Sequence, residues 1–175
     1  MPRYFRQTGV TLFELMIAIV VASILLAMAI PSFQGLTDKN QVKGAAQRLM
    51  GELQYAHGEA ISRSDDVTLD LRSDGGTDWC IGVVDSASSC DCGAADCLVD
   101  NQLHVVSGND YGNVSVTSGD DAITFGGARG LPAAAVTFNL QSDRGKQIAV
   151  EVNPIGSVRI CSPSGSQNLW EYPEC

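Results

Sequence analysis

The sequence predicts an α+β protein: one long N-terminal helix, its first half of transmembrane character, packed on an antiparallel β-sheet domain. Three observations predict it. An apolar run opens at Gly9-Val10-Thr11-Leu12 and lasts to Ile30. Beyond it, Val42, Ala46, Leu49, Leu53, Ala56 and Ala60 recur at steps of four and three, which makes an apolar stripe along a helix. From Val67 the period changes to two, and Gly- and Asp-rich turn signals separate the segments.

The first element carries Glu14 near its start. A carboxylate at the bilayer centre costs roughly 2.5–3.5 kcal/mol on insertion scales, so an acid in a membrane-length segment needs a partner or a purpose. Two plainer readings compete. An ordinary secretory signal would use Leu15 to Leu26 as its apolar centre and Ala27-Met28-Ala29 as its cleavage site, but it would not carry an acid beside that centre or Pro31 just past the cut. A plain anchor would leave Glu14 unexplained, and Leu15–Ile30 is short of the roughly 20 residues that span a bilayer. Arg3 and Arg6 before the span and Lys39 and Lys43 after it give only a weak positive-inside bias.

The helix continues from Ser32 with the stripe as its core face. Gly44, Gly51 and Gly58 fall seven apart nearly opposite that stripe, each costing about 1 kcal/mol relative to Ala in a helix interior. They mark either a face that another helix approaches or a loose, exposed helix. Ser62 to Asp66 ends the helix. Strands are expected at Val67–Arg72, Trp79–Val84, Leu103–Val106, Val114–Thr117, Ala122–Phe125, Val136–Leu140, Gln147–Asn153 and Val158–Cys161. Turn signals separate them at Asp74-Gly75-Gly76, Gly108-Asn109-Asp110, Gly119-Asp120-Asp121, Gly126-Gly127, Asp143-Arg144-Gly145 and Asn153-Pro154-Ile155-Gly156.

About 145 residues follow the anchor, enough for one globular domain and too few for two. Six Cys beyond a membrane segment indicate an oxidising compartment and a disulfide framework, and the periplasm fits. Cys161 with Cys175, tying the last strand to the tail, is the favoured pair, while Cys80, Cys90, Cys92 and Cys97 pair among themselves in an order the sequence leaves open. Those four could instead hold zinc, but they lack the C-x₂-C spacing of a strong site. The net charge is −9, and twelve acids between Asp65 and Asp121 face only Arg72. Such a balance discourages non-specific binding to DNA without excluding a local basic strip.

Arg3 and Arg6, Gly9, then Thr11-Leu12-x-Glu14-Leu15, with Pro31 further down the helix, resemble the leader and processing site of type IV prepilins and type II secretion pseudopilins. The C-terminal run Gly156-Ser157-Val158-Arg159-Ile160-Cys161 is similar to the closing strand of the GspH/FimT group of minor pilins and pseudopilins. The resemblance implies a leader at 1–9 removed by a prepilin peptidase on the cytoplasmic side of the bacterial inner membrane, and a methylated new N-terminus at Val10, where relatives usually carry Phe. It implies a transmembrane half-helix at 10–31, a soluble amphipathic half at 32–63 and a periplasmic β-rich domain with disulfides at 64–175. Glu14 would neutralise the terminal amine of a neighbouring subunit, a registry role that suits buried ions, and Pro31 would supply the usual kink. Losing Arg3 and Arg6 with the leader takes the net charge to −11.

The implied function is that of a minor pilin, of the GspH/FimT/FimU kind, that enters a type IV pilus beside other minor and major pilins and helps to initiate its assembly. The alternatives are a minor pseudopilin of type II secretion and a FimT-like receptor for transforming DNA. DNA-uptake members of that branch carry Gly-Arg-x-Arg, whereas here Ser157 replaces the first Arg. Losing a phosphate contact lowers the salt slope of binding by roughly one unit, and Arg129, Arg144 and Lys146 would compensate only if loops bring them beside Arg159. No catalytic constellation, cofactor or small-molecule substrate is expected. His57 and His104 stand near no nucleophile motif, Ser157 and Ser164 lack the G-x-S-x-G elbow, and Asp70, Asp74 and Asp78 miss the ligand order of a calcium loop and suit a solvated turn.

Overall fold

A computed structural model of the chain describes residues 9–85, 89–94, 96–118, 121–164, 167–168 and 171–175. Most of the expected leader, with Arg3 and Arg6, lies outside the described residues, as do Gly119 and Asp120 of one expected turn. Helix α1 (Leu12–Arg63) runs for 52 residues, and contacts divide the chain into two units after Thr37.

In the first unit Thr11 caps α1: its hydroxyl accepts from the Glu14 N–H at 3.2 Å, and its carbonyl accepts from the Leu15 N–H at 3.1 Å. Thr11 and Glu14 stand in the T-x-x-E spacing of a capping box, where an acid also suits the positive end of the helix dipole. The large apolar side chains from Leu12 to Met28 are exposed, and the stretch is long and apolar enough to cross a membrane. A helix bare and apolar on every side needs lipid or other helices around it.

In the second unit the helix buries Val42, Ala46, Leu49, Leu53, Ala56 and Ala60 completely, the stripe read from the sequence. Ser64 takes a left-handed φ of 55° and ends the helix. Gly127 packs on the backbone of Ser64 and Asp65 and donates its N–H to the Asp66 carboxylate at 3.0 Å.

The strands are β1 (Val67–Ser73), β2 (Trp79–Val84), β3 (Leu98–Val99), β4 (Gln102–Leu103), β5 (Val105–Ser107), β6 (Val114–Ser118), β7 (Ala122–Phe125), β8 (Val136–Ser142), β9 (Lys146–Val152), β10 (Val158–Cys161) and β11 (Gln167–Asn168). The antiparallel β-sheet domain expected from the sequence is divided into two larger sheets, β5-β2-β1-β7 and β10-β9-β8-β6 with β11 added in parallel to β9, and a separate β3-β4 pair. The division arises because β6, though followed directly by β7, pairs with β8 from Val114↔Ser142 to Ser118↔Phe138. Both sheets and α1 contribute to one core, in which Leu49, Leu53, Leu69, Ile81, Phe125, Phe138, Leu140 and Ile148 are fully buried. Trp79 of the first sheet donates its indole N–H to the Val114 carbonyl of the second at 2.7 Å.

The strand expected at Leu103–Val106 is interrupted. Leu103 ends a small β3–β4 hairpin whose two turn residues, Asp100 and Asn101, are both left-handed (φ 53° and 59°), while Val105–Ser107 pairs with β2. His104 between them donates to the Cys97 carbonyl and accepts from the Val83 N–H, both at 3.0 Å.

The outer face of the first sheet is covered by the segment around Cys90–Cys97. Disulfides join Cys80 to Cys92, Cys90 to Cys97 and Cys161 to Cys175. The Cys90–Cys97 bridge lies directly on Gly82 of β2, where a Cβ would meet Cys97 Sγ and stand 2.9 Å from Cys90 Sγ. Beside it the Cys90 N–H donates to Asp70 at 2.7 Å, and the hydroxyls of Thr68 and Thr124 share a hydrogen bond of 2.8 Å.

Candidate functional site

Gly9 and Val10 lie in extended chain just ahead of the Thr11 cap and are exposed. Glu14 is in the first turn of α1, and Pro31 falls within the same helix. Gly9 and Val10 therefore form an open segment that ends at a capped helix. One turn further on, Glu14 stands in a groove formed with Phe13, Ile17, Ala18 and Val21.

The basic side chains do not form one strip. Arg159 of β10 sits opposite Glu151 of β9, and both its Nε and a terminal nitrogen reach Glu151 Oε2 at 2.7 Å. Lys146 opens β9 five residues before Glu151, about 17 Å away at about 3.4 Å per residue. Arg144, in the β8–β9 turn, pairs with Asp38 of the helix at 3.2 Å. Arg129 is exposed in the β7–β8 loop, next to Gly130, which approaches the β9–β10 turn at the other end of β9. Compensation for Ser157 by Arg144 and Lys146 is thus not available at Arg159, and the cause is strand register.

All six cysteines are bridged, which leaves no thiolate for a metal in this state. Asp70, Asp74 and Asp78 separate as well. Asp70 lines a cleft with Cys90, Asp91 and Asp121, whereas Asp74 and Asp78 line another with Trp79 and Cys80, and Arg72 borders both. Burial pushes the Asp70 carboxyl above its ordinary range, against the Cys90 N–H that favours its ionised form. The Arg72 guanidinium holds Asp91 below its ordinary range. Where α1 enters the second unit, Lys39 and Lys43 bind Glu171 at 2.7 and 3.1 Å and hold its carboxyl low.

Sequence reasoning missed two features. The Thr11 hydroxyl accepts the Glu14 N–H, one half of a capping box whose spacing is legible as Thr11-x-x-Glu14. Arg63 gathers Glu59, Asp85 and Asp100 at the end of α1, and only the Glu59 contact, four residues away, had a local signal.

A capped apolar helix leading into an antiparallel two-sheet domain with a stapled tail defines a pilin-type filament subunit. Residues 4–30 match the prokaryotic N-terminal methylation motif, and residues 45–156 match the family described as type II transport protein GspH. The chain belongs to the GspH family, and is a minor pilin or pseudopilin of the type IV pilin-like class. Its fold is similar to that of the type IV minor pilin FimU of Pseudomonas aeruginosa in two crystal forms. One, in P21, has a TM-score of 0.57 at 18% identity and covers 76% of this chain and 98% of that one. The other, in P65, has a TM-score of 0.51 at 19% identity and covers 72% and 98%. No curated protein matches the sequence significantly.

Proposed function

We propose that this chain is a minor pilin, cut after Gly9 and methylated at Val10, that enters a type IV pilus and helps to initiate its assembly. The observation that carries the reading is Glu14 in the first turn of a helix whose large apolar side chains are bare to Met28. Stored in the inner membrane with its C-terminal domain in the periplasm, such a helix leaves the acid without a cationic mate. In a filament, the terminal amine of a neighbouring pilin supplies one, and surrounding helices cover the apolar surface. Prepilin peptidase and the other pilins are the partners this requires. The test is clean deletion of the gene with a count of surface pili, together with mass spectrometry of the mature N-terminus. Wild-type piliation after deletion, or a terminus other than methylated valine, would refute it.

A second reading, a subunit of a type II secretion pseudopilus, is favoured by the description of the family itself. It shares the anchor and the helix and differs in the machine, so loss of secretion without loss of pili separates the two. The DNA-receptor reading requires Arg159 to leave Glu151. Under it, Glu151→Gln strengthens retardation of duplex DNA by the purified domain at low salt and Arg159→Ala abolishes it. Retardation indifferent to both variants excludes that role for Arg159.

A further inference from the structure

The bridge between Cys90 and Cys97 brings two sulfurs and a carboxylate together at the rim of a cleft. Cys90 Sγ, Cys97 Sγ and a carboxylate oxygen of Asp96 all lie within 4.8 Å of one another. The carboxylate is held, because Asp96 Oδ1 accepts the Asp91 N–H at 2.5 Å. Beneath the sulfurs Gly82 leaves the strand surface bare, and a side chain there would fill the space they occupy. Cys90 also lines the cleft that holds Asp70, Asp91 and Asp121, acids that draw a cation toward it.

Opening this bridge alone leaves other ties around it. Cys92, two residues from Cys90, stays joined to Cys80 of β2, and the Cys97 carbonyl keeps the His104 N–H at 3.0 Å. The contact from Asp91 to Asp96 spans the segment between them. Two thiols and a carboxylate so gathered are a ligand set for a borderline-soft divalent ion: thiolates with one oxygen donor suit Zn²⁺, and a fourth position is left for water. Calcium and magnesium, which take oxygen shells, do not fit it. Convergence here comes from the segment lying across β2, so it needs no C-x₂-C spacing.

We propose that the reduced pair of Cys90 and Cys97, with Asp96, binds one Zn²⁺ ion, which takes the place of the bridge over Gly82. Each thiol gives up its proton as its sulfur joins the ion, so two protons leave per ion bound. Ion and bridge exclude each other. Oxidation of the metal-bound pair removes two electrons, which a disulfide-bearing oxidant takes up with two protons from solvent to become a dithiol; the two sulfurs join and Zn²⁺ leaves. The same two cysteines thus hold the segment to β2 through a metal when reduced and through a covalent bond when oxidised.

The test treats the full chain in detergent with a phosphine reductant, titrates it with Co²⁺ as a spectroscopic stand-in, and then adds Zn²⁺. The expected result is a thiolate-to-cobalt charge-transfer band that saturates at one ion per chain and is abolished by Zn²⁺, with no such band from the oxidised chain. Bound Zn²⁺ should shield Cys90 and Cys97, but not Cys161 and Cys175, from iodoacetamide, read by peptide mass spectrometry. Asp96 is exposed, and Asp96→Asn keeps an oxygen for the Asp91 N–H while losing the charge. That variant should bind Zn²⁺ about tenfold more weakly, the scale of loss seen even for residues that only support a metal ligand. Four outcomes overturn the proposal: no charge-transfer band, shielding at Cys80 and Cys92 rather than at Cys90 and Cys97, wild-type affinity in Asp96→Asn, or equal affinity in urea, which marks thiols that gather metal without the fold.

Discussion

Replacing Gly156 by Ala tests whether the Gly-x-x-Arg run at the last strand exists for the turn. Gly156 has a φ of 81°, and a Cβ there meets His57 Nε2 at 2.7 Å, His57 Cδ2 at 3.0 Å and the Gly130 carbonyl at 3.0 Å. The left-handed conformation costs an L-residue roughly 1–2 kcal/mol, and forcing an extra carbon into a packed site typically costs about 1–3 kcal/mol more. The expected loss is therefore about 3 kcal/mol in a urea melt of the oxidised soluble domain. In a His57→Ala background two of the three close contacts vanish while the backbone term stays, so the same substitution should cost about 1–2 kcal/mol. The coupling between the two sites is then about 1–2 kcal/mol, well outside the scatter of roughly 0.3–0.5 kcal/mol seen for independent sites. Strict additivity would refute the steric account, and a cost below about 1 kcal/mol in both backgrounds would refute the conformational one. The outcome bears on function, because a Gly explained by its turn and an Arg explained by Glu151 need no nucleic acid to account for the motif.

Four further outcomes follow from the same geometry. Leu53→Ala, at a fully buried site on the helix stripe, should lower stability by about 3–4 kcal/mol in the same melts. Gly51→Ala meets nothing within 4 Å and should stabilise the isolated domain by about 0.5–1 kcal/mol, while lowering filament incorporation if a neighbouring helix approaches that face. Asp70 binds its proton more tightly folded than unfolded, so its contribution to stability falls as pH rises from the ordinary carboxylate value through the raised one; Asp70→Asn should remove that decline from paired melts taken across mildly acidic pH. Substituting both Cys161 and Cys175 by Ser opens a loop with a sequence separation of 14 and should cost about 3 kcal/mol by chain entropy, read as a shifted urea midpoint.

How much was legible depended on range. The helix stripe from Val42 to Ala60 and the strands Trp79–Val84, Ala122–Phe125 and Val158–Cys161 were legible because burial imposes a period on neighbouring residues. The division into two sheets was not, since nothing local in Val114–Ser118 says that its partner is β8 rather than the adjacent β7. The Asp100-Asn101 hairpin carried a readable turn signal but joins strands of two residues, too short to show alternation. At the candidate site, Glu14 stood out because an ionisable group in an apolar run is costly. The pairing of Arg159 with Glu151 became visible only with the β9–β10 register, and that register is also what parts Arg159 from Lys146.

The bridge resting on Gly82 makes the cover of the first sheet conditional on chemistry rather than on packing alone. With Cys90 and Cys97 reduced, the staple that rests on Gly82 and holds the Cys90 N–H beside Asp70 is gone. Under the periplasmic reading proposed above, oxidation there would fasten the cover, and pulse-chase thiol trapping would then show bridge formation preceding filament entry.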